Sequence, residues 1–228
     1  AAFKGNANLV ELGHIVTMNV TADIAGIDRP LKSKNETENL LRLVKIFSEG
    51  ATLVHSLKNK EIIKKKVFQS FKEFDKDFYM SSFERRKNLF NLFKKGEINE
   101  DELPKDILMI LLINQDKLKL SNDVIKREVA FYLQAGSHST ANASVHAFHE
   151  IIEWKEKHPE DKFKLSNDMF FLQKCVFETL RLHPASPVAW RKAKCPVHLS
   201  NSKTVNEGDN VVIDLLGSNR DKSIFGED

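Results

Sequence analysis

Cysteine is scarce in this chain: Cys175 and Cys195 are the only two in 228 residues. They form no CxxC and have no histidine at zinc-finger spacing, which excludes a disulfide framework and a structural zinc site. Such cysteine usage fits a reducing compartment, and the cytoplasm is expected. Long hydrophobic runs are missing too. None approaches the roughly 18 residues of a membrane span, and no signal-peptide pattern is present. The chain opens on AAFKGNANLVELGHIV and stops at SIFGED, in mid-pattern at both ends. It therefore reads as an interior piece of a longer protein, and an anchor outside residues 1–228 stays open. Charge of one sign is also lacking: 35 basic against 32 acidic side chains leave a formal net charge of +3. That balance gives no electrostatic case for nucleic-acid binding. Repeats and low-complexity segments are absent.

What is present suits a packed domain. The chain is 41% hydrophobic and 29% charged, enough apolar surface for a core. A single domain is expected, mainly helical over 1–183 and built of short strands over 184–228. Helical spacing predicts helices over 7–26, 36–58 and 60–94. The last carries a phenylalanine stripe (Phe68, Phe71, Phe74, Phe78, Phe83, Phe90, Phe93) read as core. Pro104 precedes a short apolar helix, KDILMILLIN. Ser121, Asn122 and Asp123 offer an N-cap to a long helix that ends before His158-Pro159. Ser166-Asn167-Asp168 caps another, running to about Leu182. VAWRKAK, CPVHLSN and TVNEGDNVVIDLL read as strands, with Gly208-Asp209 at a hairpin. Lysine-rich clusters at 58–66, 84–87 and 94–95 read as a solvated helix face, or as a weak docking site for an acidic partner.

Two patterns carry chemistry. In the long helix, apolar residues Val129, Ala130, Phe131, Leu133 and Ala135 give way to Gly136 and four polar residues, Ser137 to Thr140. Glycine inside a helix costs about 1 kcal/mol relative to alanine, and hydroxyls there compete for backbone carbonyls. A small polar notch of this kind admits something close to the backbone. Some forty residues on, FETLRLHP places Glu178 and Arg181 one turn apart on one helix face. Their apolar neighbours Val176, Phe177, Leu180 and Leu182 predict a buried pair, in which a guanidinium fork would pin a later loop.

AGSHST (135–140), ETLRLHP (178–184), PVAWRKA (187–193), TVNEGDNVVIDLLGSNRD (204–221) and IFGED resemble, in order, motifs of the cytochrome P-450 family of haem-thiolate proteins. The resemblance spans nearly the whole chain but only about the middle half of a full member. It implies a mainly α, cytochrome P-450-like helical fold with a small β region, incomplete in this chain. The implied activity is a haem-dependent monooxygenation of a small organic substrate, using dioxygen and electrons from a ferredoxin- or flavoprotein-type donor, by a monomer that binds no nucleic acid.

By the same resemblance the cofactor is thiolate-ligated haem b. Ala135, Gly136, Ser139 and Arg191 would contact it, Arg191 through a propionate. Ser139, His138 and Thr140 would serve proton delivery, Phe131, Val188 and Ala189 would line the substrate pocket, and Glu178 and Arg181 would be structural. The notch departs from the family's pattern, with His138 at the usual acid and Ser139 at the usual threonine. Neither Cys175 nor Cys195 has the ligand loop around it, so no metal ligand is assigned in this chain and the iron ligand is expected beyond Asp228.

Three alternatives remain at this point. A haem-thiolate isomerase, dehydratase or peroxide-using enzyme would need less of the altered notch. His146, His149 and Glu150 share a helix face, but their order is neither HExxH nor HxxEH and no second helix matches them. A non-catalytic helical interaction domain would account for the helices and charges but not for the ordered motifs.

Overall fold

The computed structural model describes residues 8–53, 56–199 and 203–226. They group into two compact units, divided between Ala141 and Asn142. No helix among the described residues is long and apolar enough to cross a membrane.

The first unit opens with α1 (Leu9–Ala25). Asn8 caps it, accepting from the Val10 and Glu11 amides at 3.1 and 3.2 Å. Gly26 ends it in the left-handed region, with φ 85°. Glycine is needed there for conformation and for space, since a β-carbon would lie 2.5 Å from Asp106 Oδ1. α2 (Lys34–Ala51) starts on a capping box between Ser33 and Glu36. The helix expected over 60–94 is α3 (Lys60–Phe74) and α4 (Met80–Lys94), joined by a π-turn over Asp75–Tyr79. The wider turn lets the consecutive residues Phe78 and Tyr79 both face inward. Phe74, Phe78 and Phe83 are core, as the stripe predicts, whereas Phe68 is 63% exposed. α5 (Ile107–Ile113) is capped by Asp106, and α6 (Gln115–Leu118) follows.

Long helix α7 (Asn122–Lys157) runs without a break through the polar notch, and Ser121 Oγ accepts from the Val124 amide at its start. The core of the first unit gathers Met18 and Ala22 of α1, Leu40, Leu43 and Val44 of α2, Phe74, and Ile125, Val129 and Leu133 of α7. Arg86 ties its edge, donating to Asp106 at 2.8 Å and to Asp28 at 3.1 Å.

In the second unit α8 (Lys162–Asn167) precedes α9 (Met169–Leu182), which Asp168 caps. β1 (Val188–Lys192) pairs antiparallel with β4 (Asn210–Asp214), Trp190 opposite Val212. β2 (Val197–His198) pairs with β3 (Thr204–Val205). The expected hairpin at Gly208-Asp209 is corrected by this register. The turn joins β3 to β4, which belong to different ladders, and it is held instead by Ala193, through Gly208 N to Ala193 O and Ala193 N to Asp209 O, both 2.9 Å. Short α10 (Leu215–Ser218) and α11 (Lys222–Phe225) follow.

Candidate functional site

The notch is a helix–helix contact as well as a break in hydrophobicity. On one side of α7, a β-carbon at Gly136 would stand 2.9 Å from Thr21 Cγ2 of α1. One turn back on α1, Thr17 Oγ1 donates to the Ser137 carbonyl at 3.2 Å while also bonding the Gly13 carbonyl at 2.8 Å. What approaches the backbone at the glycine is therefore α1. Sequence reading missed these α1 residues. The available signal was Gly13, Thr17 and Thr21 at spacing four, a small-residue stripe suited to close approach. The apolar positions Val16, Val20 and Ile24, which helical spacing suggests as core, are instead about half exposed. With Tyr132, Gly136 and Thr140 they line an apolar groove of about 350 Å³.

Residues Phe131, Ala135 and Ser139 follow one another at i, i+4 on a different face of α7. Phe131 is 57% exposed, Ala135 is exposed and Ser139 half-buried. The Ser139 hydroxyl turns back along the helix and donates to the Ala135 carbonyl at 2.6 Å, the local competition expected of a hydroxyl there.

His138 packs against α1. Its ring lies edge-on to that of His14, with centroids 5.3 Å apart and planes at 68°. Burial, then the nearby His14 and Lys45, hold the His138 imidazole below its ordinary titration range. The ring is thus biased toward its neutral form near neutral pH. Its Nε2 is buried without a hydrogen-bond partner among the described residues.

In the second unit, Glu178 and Arg181 form the expected fork: Nε to Oε2 is 2.9 Å and Nη2 to Oε1 is 2.6 Å. Arg181 Nη1 also donates to the Asn219 carbonyl at 2.6 Å, and the Asn219 amide returns a bond to the Arg181 carbonyl at 3.2 Å. Arg220 holds the Leu182 carbonyl at 2.9 Å. Arg181 thus bonds to a later segment at Asn219. The expectation that the whole pair is buried is corrected: the Arg181 side chain is 14% exposed but that of Glu178 is 55% exposed. The flanking Phe177 is 62% exposed, so the apolar neighbours do not close over the carboxylate.

Val188 and Ala189 are half-buried in β1. Arg191 is exposed, and its Nη1 donates to the Trp190 carbonyl at 2.8 Å. His146 stacks on His183 at 4.3 Å, and His183 Nε2 meets Glu150 Oε1 at 2.7 Å. These two residues of the sequence's alternative metal cluster are thus drawn to the end of α9. Cys175 is half-buried with its thiol pushed up by burial, the wrong direction for a thiolate. Cys195 is exposed.

The cytochrome P450 family model matches residues 11–228. Among curated proteins, "Probable cytochrome P450 310a1" of Drosophila melanogaster is 30% identical over 132 residues, covering 57% of this chain and 26% of that protein. "Cytochrome P450 monooxygenase 205" of Postia placenta is 27% identical over 165 residues, covering 58% of this chain and 30% of that protein. Among solved structures, the cytochrome P450 CYP109B1 of Bacillus subtilis shares the fold at a TM-score of 0.69 and 20% identity, over 98% of this chain and 54% of that one. The chain thus spans under a third of these curated relatives and about half of the solved one.

Proposed function

The chain belongs to the cytochrome P450 family, and on that premise we propose that the intact protein is a haem-dependent monooxygenase. Its substrate is a small organic molecule, its oxidant dioxygen, its electron source a ferredoxin- or flavoprotein-type donor, and its working form a monomer. The observation that carries this reading is the exposed α7 face on which Ala135 and Ser139 stand beside a His138 biased toward neutrality.

The residues present fit the periphery of a haem. Ala135 and Ser139 are small enough for a flat ring to approach the helix, and Arg191 is an exposed guanidinium suited to a propionate. They do not fit its iron, because the burial-raised thiol of Cys175 disfavours a thiolate and Cys195 lies outside any ligand loop. When bound, the haem supplies the activation of dioxygen. This chain's residues then govern protons and position. Ser139 can turn its hydroxyl from the Ala135 carbonyl to donate outward. His138, neutral, can accept a proton and pass it on. Phe131, Val188 and Ala189 offer apolar surface to the substrate.

A second reading, a haem-thiolate isomerase, dehydratase or peroxide-using enzyme, has one observation in its favour. Ser139 is committed to its own helix, and His138 Nε2 has no partner among the described residues. The test of the haem assignment is the reduced, carbon monoxide-bound spectrum of the intact protein. A red-shifted Soret band, kept in Cys175→Ser and Cys195→Ser, is expected. Its loss in either folded variant would overturn the ligand assignment.

A further inference from the structure

Six buried side-chain polar atoms have no hydrogen-bond partner among the described residues, and three of them, His14 Nδ1, Ser137 Oγ and His138 Nε2, belong to the contact between α1 and the notch. Native proteins rarely leave such atoms unpaired, and a contact needing only packing would be cheaper with apolar rings. His14 is half-buried, its ring edge-on to His138 at 5.3 Å. The neighbouring Thr17–Ser137 bond and the Thr21–Gly136 approach fix α1 against α7, so the two rings cannot easily separate.

We propose that His14 is a positioning residue of the notch, acting through His138, whose imidazole it holds edge-on and biases toward the neutral form. This rests on the reading of His138 as a proton carrier. The ionisable groups bearing on His138 are His14 from α1 and Lys45 from α2, and neither is an acid. Both oppose a proton on the His138 ring. His14 thus keeps His138 ready to release a proton as well as to accept one.

The experiment follows the ring resonances of the intact holoprotein with carbon-13-labelled histidine, His138 being assigned by its loss in His138→Gln. His14→Phe keeps an aromatic edge against His138 and removes the charge. The midpoint of His138 is expected to move to higher pH, and the pH profile of product formed per reduced cofactor to move with it. Lys45→Met should shift the midpoint in the same direction. His14→Gln repeats the measurement without an aromatic ring, should His14→Phe fail to fold. An unmoved His138 midpoint in the folded His14 variant overturns the role of His14, whatever the coupling does. A moved midpoint with coupling unchanged in His138→Gln overturns the proton-carrier reading and leaves the bias from His14 standing.

Discussion

Gly136 of α7 and Thr21 of α1 are in contact so close that a β-carbon on the glycine would lie 2.9 Å from Thr21 Cγ2. Thr21 is β-branched and stiff about its first torsion, so it cannot swing aside cheaply. Gly136→Ala gains about 1 kcal/mol of helix propensity but overpacks the contact, at a typical cost of about 1–3 kcal/mol. The expected result is net destabilisation in urea unfolding of the intact protein, relieved by adding Thr21→Ala. A Gly136→Ala variant as stable as the parent would mean that α1 does not press on the notch.

On α9, the unequal exposure of Glu178 and Arg181 predicts unequal consequences. Arg181→Ala removes the fork and the bond to the Asn219 carbonyl together. Bonds to charged groups contribute about 1.5–3 kcal/mol, so this variant should lose stability and retain haem poorly. Glu178→Ala exposes little that water cannot satisfy, and a largely solvated pair is worth about 0–1 kcal/mol. Denaturant midpoints and haem content of the two variants check the ranking. Equal losses would restore the view of a pair buried as a whole.

The motifs on which the family rests were legible because each is local: a glycine beside hydroxyls, a Glu-x-x-Arg turn, an Arg after two prolines. The element boundaries set by the caps at Ser121 and Asp168 were legible for the same reason. What was not legible is tertiary. The partner of Gly136 lies 115 positions away at Thr21, and nothing in α1 announces which face will be buried. Its apolar stripe at Val16, Val20 and Ile24 lines a groove while Thr17, Met18 and Ala22 are buried. The exposure of Glu178 likewise depends on what lies over it, which its apolar neighbours do not decide. The Gly208 turn was misassigned because hairpin reasoning assumes that adjacent strands pair. Here the β2–β3 ladder sits between the two strands of the β1–β4 ladder in sequence.

Asp106 joins three supports in the first unit. It accepts from Arg86 at 2.8 Å, caps α5 through the Met109 amide at 2.9 Å, and occupies the space that a β-carbon on Gly26 would need. The Asp106 and Arg86 side chains are 8% and 5% exposed. Removing one partner of a buried pair costs roughly 3–5 kcal/mol, and Asp106→Ala should lose that much or unfold. Asp106→Asn keeps an oxygen for the cap and should lose less. Gly26→Ala, at a buried helix end, meets both the left-handed backbone and the carboxylate, and should be strongly destabilising. Chemical denaturation ranks the three. An Asp106→Asn variant as unstable as Asp106→Ala would place the whole effect on the charge.

Proton handling at Ser139 and His138 separates monooxygenation from its alternatives. General acid–base steps contribute typically about 10²–10⁴-fold. Ser139→Ala should therefore leave electron consumption running while product falls and peroxide rises. His138 adds a pH dependence whose sign follows from its environment. Burial, His14 and Lys45 hold it below its ordinary value of 6.5, so in the folded protein the ring stays neutral at pH values where an unfolded chain would begin to protonate. Stability from the His138 contact is thus intact above about pH 6.5 and declines as pH falls through it, because the unfolded state takes up the proton first. Coupling that depends on a neutral imidazole is held through neutrality and lost at a pH below the ordinary histidine midpoint. Both trends should vanish in His138→Gln. Thr140, one position on and about 100° around the helix, lines the groove with α1 and should matter less than Ser139. Product formed per reduced cofactor, with peroxide counted in parallel across pH, is the measurement. Unchanged coupling in both Ser139→Ala and His138→Gln would remove these residues from proton delivery. It would turn the reading toward a reaction that does not split dioxygen.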